Sequence, residues 1–185
     1  LVAHIKNTRT PFSIDFGVGD VIVPKQEKRK IPTQLSDFDA PMVNTYSLET
    51  TIAEKIDAIL SLMEFSSRMK DYYDIYYLAN KFDFDGEILT EALKKTFSNR
   101  GHSFTVEQFE QVIGFAENTS MQKKWKAFAR KIDTKTADYS TVLKTISAFL
   151  AKPFAAAVGC KDFIEKWFAT NGRWMYWEGS SDFHA

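Results

Sequence analysis

Cysteine is almost absent: Cys160 is the only one in 185 residues, so no disulfide can close within the chain. A reducing compartment is the setting that fits. A dominant charge sign is also lacking, because Lys+Arg and Asp+Glu both total 24. The chain as a whole therefore has no bias towards nucleic acid or anionic membrane, although local patches can act. No apolar run approaches the roughly 20 residues that span a bilayer. No charged segment followed by an apolar stretch opens the N-terminus either, and the expected setting is soluble and cytoplasmic. The three histidines, His4, His102 and His184, are scattered without cysteine or paired histidine at ligand spacing, which argues against a zinc site. "GVG" at 17–19 is too short for a phosphate-binding loop, and no helix is expected after it.

What is present describes a globular chain, with 44% hydrophobic, 15% aromatic and 26% charged residues. Residues 11–23, "PFSIDFGVGDVIV", alternate: Phe12, Ile14, Phe16 and Val18 share one face, with Ser13, Asp15 and Gly17 on the other. That pattern predicts a half-buried strand, bent near Gly17–Asp20. "KQEKRK" at 25–30 reads as a charged loop or exposed edge, and two prolines break 31–43. Little helix is expected before residue 46.

From Ser47 the period becomes helical. Ser47 is a fair N-cap, and Leu48, Ile52, Ile56, Ile59, Leu60 and Met63 recur at three- and four-residue spacing. Further helices are predicted at about 69–80, 86–97, 105–116, 120–131, 138–151 and 160–169. A Trp-rich close, "WFATNGRWMYW", is expected to pack back on the bundle. The fold class is α+β, mostly α: two or three strands of a remnant sheet in 1–45, then a helical bundle domain over 46–185.

The segment "SSRMKDYYDIYYL" at 66–78 combines four tyrosines with Arg68, Lys70, Asp71 and Asp74. Asp71 and Asp74 share a helix face, and Lys70 reaches Asp74 at i+4. Spacing allows a solvated ion-pair stripe, or side chains converging on a cleft just after a helix–helix turn. Lys55 has Ile52 and Ile59 as its i−3 and i+4 neighbours, so it borders the buried stripe. It either snorkels past them or stands as a positioned cation for a phosphate. "MQKKWKAFARK" at 121–131 sets five cations around Trp125 and Phe128. That is a solvated face with its aromatics inward, or a contact for an RNA backbone.

"YSLETTIAEKIDAIL" followed by "SRMKDYYDIYYL" resembles the paired motifs E-x-x-x-A-E-K and R-x-K-D-x-x-D of the AbiEii/AbiGii-type nucleotidyltransferase toxins, which act in toxin–antitoxin and phage-defence systems. "YSTVLKTISAFLAKPF" and Trp167, Trp174 and Trp177 are similar to that family's C-terminal region. The resemblance implies transfer of an NMP from an NTP with Mg²⁺, Lys55 on the nucleotide phosphates, Arg68 in support, and Lys70, Asp71 and Asp74 lining the active-site cleft. It implies Asp15, ahead of Asp20, as a metal-side catalytic carboxylate. Implied partners are an antitoxin protein and tRNA or another RNA acceptor. No Gly-Ser or Gly-Gly-Thr turn with Asp-x-Asp precedes Asp15, and the first residue is Leu1. The chain is thus expected to be N-terminally shortened, with residues 1–45 ending a catalytic domain. The alternative is a non-catalytic helical module or scaffold that contacts an antitoxin or RNA. Self-association through the 11–23 strands is expected, and no membrane partner.

Overall fold

A two-residue turn at Lys6-Asn7, with Lys6 at φ +52, folds β1 (Val2–Ile5) onto β2 (Thr8–Pro11) as an antiparallel hairpin. The computed structural model describes residues 1–14, 19–132 and 136–176. A second hairpin pairs β3 (Glu27–Lys30) with β4 (Met42–Thr45), Arg29 opposite Val43. Among the described residues, the first 45 positions thus carry two small antiparallel sheets of two strands each, and the α+β, mostly α class holds. Of the strand expected over 11–23, Pro11 alone among the described residues lies in a strand, as the end of β2; Phe12 and Ile14 are exposed, with the Phe12 N–H on the Leu1 carbonyl. Asp15, Phe16, Gly17 and Val18 lie outside the described residues. Val23 is extended towards helix hydroxyls instead of a strand. Its N–H donates to Thr50 Oγ1 at 2.8 Å, and its carbonyl accepts from the hydroxyls of Ser47 and Thr50.

Ser47 also caps α1 (Leu48–Leu62), accepting the Thr50 amide at 3.1 Å. This places Ile52, Ile56 and Ile59 inward. A 3₁₀ turn at Met63–Phe65 leads to α2 (Met69–Lys81). β5 (Phe84–Asp85) precedes α3 (Gly86–Asn99), capped by Asp85. Then come α4 (Val106–Gly114), with a Thr105/Gln108 capping box, α5 (Thr119–Ala129), capped by Asn118, and α6 (Tyr139–Val158), capped by Asp138. α6 packs against α2, α3 and α4, and α1 against α2 and α3. At 20 residues α6 is apolar enough by length and composition to cross a membrane, which the residue-by-residue reading missed. Ten of its side chains are buried against the bundle, so it is the central core helix.

α6 runs past the predicted end at 151 and through Pro153. Proline has no N–H for the carbonyl four residues back, at Phe149. The Trp174 indole donates to that carbonyl at 2.8 Å instead. The helix predicted at 160–169 is likewise replaced: Cys160 turns at φ +51, and β6 (Lys166–Phe168) pairs with β5 and with β7 (Arg173–Met175). Trp167 is buried, and its indole donates at 2.7 Å to the Ala79 carbonyl in the last turn of α2, where a helix lacks its own donors. Trp177, the third tryptophan of the motif, lies outside the described residues.

Two phenols in the core stand without good partners. Tyr72 and Tyr139 meet edge to face at 5.5 Å, and neither buried hydroxyl completes a hydrogen bond of good geometry. Burial pushes the Tyr72 phenol up to about 12, and burial with the neighbouring Tyr72 pushes Tyr139 up as well. Above about pH 10 the unfolded chain loses phenolic protons that the folded chain keeps, so stability falls as pH rises through that range. Melting temperature is expected to drop between about pH 9 and 11. Tyr139→Phe, which removes an unpaired hydroxyl, should leave neutral stability unchanged or raise it by up to ~1 kcal/mol, and flatten that drop. An unaltered pH profile in the variant would contradict this.

Candidate functional site

α1 and α2 meet through a turn fastened from several sides. Met63 adopts φ +48, the Arg68 N–H donates to Ser66 Oγ at 3.1 Å, and Ser66 is buried. From α5, Lys124 donates to the Glu64 carbonyl at 2.8 Å and the Ser66 carbonyl at 3.0 Å. The turn delivers Asp71 into the first turn of α2, where the helix N-terminus favours a carboxylate.

There the charged side chains singled out in the sequence come together. Lys55 Nζ lies 3.1 Å from Asp71 Oδ1 and 2.6 Å from Asp74 Oδ2. Arg68 Nε lies 2.6 Å from Asp71 Oδ2, and Lys70 Nζ 2.6 Å from Asp74 Oδ2. The two readings of the spacing divide between residues. Lys70 has 72% of its side chain exposed and is part of a solvated pair, whereas Asp71 at 4% is a buried anchor gripped by two cations. For Lys55, burial lowers the ammonium's affinity for its proton, but the hydrogen bonds it donates to Asp74 and Asp71 outweigh it and the pKa is raised. Of the four tyrosines, only Tyr72 is fully buried, while Tyr77 is exposed.

A second network adjoins the first. Arg100, the C-cap of α3, contacts Glu54 and places Nη1 3.0 Å from Asp57 Oδ2. Gly101 turns the chain at φ +67, a conformation open to glycine. His102 then comes back to place Nδ1 2.7 Å from Asp57 Oδ1. Asp57 is buried, and burial raises its pKa against the lowering effect of His102. The sequence motifs singled out neither Glu54 nor Arg100 by role. One signal was available: Asp57 interrupts the apolar stripe of α1, so a buried partner had to come from elsewhere.

Between the networks lies a cleft of about 270 Å³ lined by Tyr46, Glu54, Lys55, Arg68, Asp71 and Arg100, together with Thr51 and Ala58. Tyr46 is held by a hydrogen bond from its hydroxyl to Asp20, which raises its pKa. Larger cavities of about 320 Å³ beside Val23 and Lys161 and about 420 Å³ beside Phe97 and Cys160 carry no comparable convergence of ion pairs. Lys70 and Asp74 flank the 270 Å³ cleft without lining it. Asp15 lies outside the described residues.

The family model for the nucleotidyl transferase AbiEii toxin of type IV toxin–antitoxin systems matches residues 2–157. The chain belongs to that family. Neither the curated proteins nor the solved structures gave a match. AbiEii membership makes this a nucleotidyltransferase-type toxin, with an NTP as the implied substrate and an antitoxin as the implied partner. Nucleotidyl transfer generally uses a divalent metal, and the described residues do not fit one. Asp71 and Asp74 are turned towards cations, and among the described residues no group of three or more His, Cys, Asp or Glu side chains converges as ligands.

Proposed function

We propose that the 270 Å³ cleft binds the phosphates of an NTP, taken as its Mg²⁺ complex, and serves transfer of the NMP to an RNA acceptor such as a tRNA. The observation that carries this reading is the convergence of Lys55, Arg68 and Asp71 on one cleft, with each cation oriented by a carboxylate. Fixed charges of this kind stabilise a transferring phosphoryl group without reorganising. Lys55 and Arg68 take the phosphates, Asp71 and Asp74 hold those cations in place, and Lys70 guards the approach. Asp15, outside the described residues, is retained only as the metal-side carboxylate that the family resemblance implies. Residues 1–45 then read as the end of the catalytic domain and 46–185 as its helical companion.

The acceptor's phosphates have a matching surface on α5. It carries no acidic residue, Lys123, Lys126 and Arg130 are exposed, and Trp125 is turned inward with its indole on the Ala137 carbonyl at 3.0 Å. Basic side chains so placed give sequence-independent affinity for RNA. The exposed Phe12 and Ile14 support self-association through the 11–23 segment. A strict monomer by light scattering at high concentration would count against it.

The decisive assay incubates the chain with α-labelled NTPs and total bacterial RNA and follows label into RNA. Lys70→Ala, an exposed residue, is expected to cut incorporation at least tenfold while changing stability by no more than ~0–1 kcal/mol. Full incorporation by a folded Lys70→Ala variant removes Lys70 from the site. NTP binding without any label transfer favours the non-catalytic module.

A further inference from the structure

We propose that Arg100 is a third phosphate-binding cation of the cleft, and that the cleft takes the polyphosphate of its nucleotide and leaves the base outside. This rests on the reading of the cleft as a nucleotide site.

Arg100 reaches the cleft from the C-terminal end of α3, and its guanidinium is anchored on a buried carboxylate. Asp57, 1% exposed, takes Nη1 through Oδ2, and its other oxygen is occupied by His102. A buried carboxylate with both oxygens engaged does not release its partner cheaply. Glu54 is different: it contacts Arg100 at the cleft surface with 20% of its side chain exposed. An arriving phosphate therefore competes with Glu54 and leaves the Asp57 anchor intact. A guanidinium has five N–H donors in a fixed fork, so one edge can stay on Asp57 while another meets a phosphate.

Size and lining set the rest. About 270 Å³ is below the roughly 300–1,000 Å³ usual for whole small-molecule ligands. The walls are charged or polar save Ala58 and the ring of Tyr46, whose hydroxyl is tied to Asp20. Three cations from α1, the α1–α2 turn and the α3 terminus surround a volume suited to phosphates, with no pair of apolar surfaces to sandwich a base. The plainer account makes Arg100 only a cross-link between α1 and α3. The two accounts differ over Glu54: a cross-link loses by its removal, whereas a phosphate site gains.

The test measures calorimetric binding of inorganic triphosphate to the full chain, once without divalent metal and once as the Mg²⁺ complex, with melting temperature recorded for each variant. Wild type should bind, and Arg68→Gln, at an exposed position, should bind more weakly. Arg100→Met should lose about tenfold or more in affinity, the scale of a charge-assisted pair. Arg100→Lys keeps the charge but not the fork, so it should fold and bind about threefold more weakly. Glu54→Gln should bind several-fold more tightly, roughly one charge's worth of relieved competition. Unchanged affinity in both Arg100→Lys and Glu54→Gln, with Arg68→Gln impaired, overturns the role of Arg100 while the cleft reading stands. No triphosphate binding by folded wild type overturns both. The four NTPs should bind within about threefold of one another, since one methylene's worth of base contact would already give tenfold. A strong preference for one base refutes the exclusion of the base.

Discussion

Trp167→Ala is expected to destabilise the protein by about 3–5 kcal/mol, the range for truncating a buried Trp. For a chain of this length that corresponds to a fall in melting temperature of roughly 6–20 °C. Trp167 is buried against Phe149 and Trp174, with ring centroids 5.0 and 5.6 Å away. Its loss opens a cavity where α6 meets the β6–β7 hairpin, and leaves the Ala79 carbonyl without its donor. Trp167→Phe separates these effects. It keeps most of the volume, so its cost should approach the ~1–3 kcal/mol of one unsatisfied buried carbonyl. Because Ala79 lies in α2, the helix of Asp71 and Asp74, both variants should also raise amide exchange through the C-terminal turn of α2. Thermal unfolding within 2 °C of wild type for Trp167→Ala, no more than about 1 kcal/mol at this size, would show that the closing hairpin does not support the bundle.

That hairpin also shows where local sequence stops informing. Phe163, Ile164 and Trp167 have helix-compatible spacing, yet the segment pairs with Phe84–Asp85, some 80 positions earlier. Gly86 accounts for the fit: its N–H donates to the Glu165 carbonyl at 2.9 Å, and a Cβ there would meet that oxygen and the Phe163 ring. Nothing within 160–169 reports such a partner. The stripe of α1 and the Ser47 cap were legible because each acts within one or two turns of chain. So was the Lys70–Asp74 pair, an i,i+4 contact. Lys55 gripping two aspartates was not, because it depends on the angle the Met63–Arg68 turn imposes. Arg100 is further removed still, since it meets Glu54 and Asp57 only once α3 packs on α1. In the first 45 residues the alternation at 11–23 was real as a pattern, but the Val23 backbone is satisfied by helix hydroxyls and has no need of a neighbouring strand.

Asp71→Ala carries the largest expected effect at the site itself, and it acts on folding as well as on chemistry. The resemblance places Asp71 and Lys70 alike in the lining of the cleft. The structure separates them, because Lys70 faces water while Asp71 is buried between Lys55 and Arg68. Removing the carboxylate leaves a partly buried ammonium with Asp74 as its single partner. Breaking such a pair from one side costs about 3–5 kcal/mol, and the remaining Asp74 places this case near 3. A drop of roughly 6–12 °C should accompany the loss of nucleotide binding. The pairing also ties Lys55 to pH: its raised pKa means the contribution is complete below the ordinary lysine value of 10.5 and disappears as pH rises through the higher folded value. A double-mutant cycle with Lys55→Met isolates the pair, since Asp71→Ala should cost less once the ammonium is gone, by about 1.5–3 kcal/mol. Additive losses would mean that Lys55 and Asp71 do not support one another. Nucleotide binding that survives in folded Asp71→Ala would place the phosphates elsewhere than on the cations this carboxylate holds.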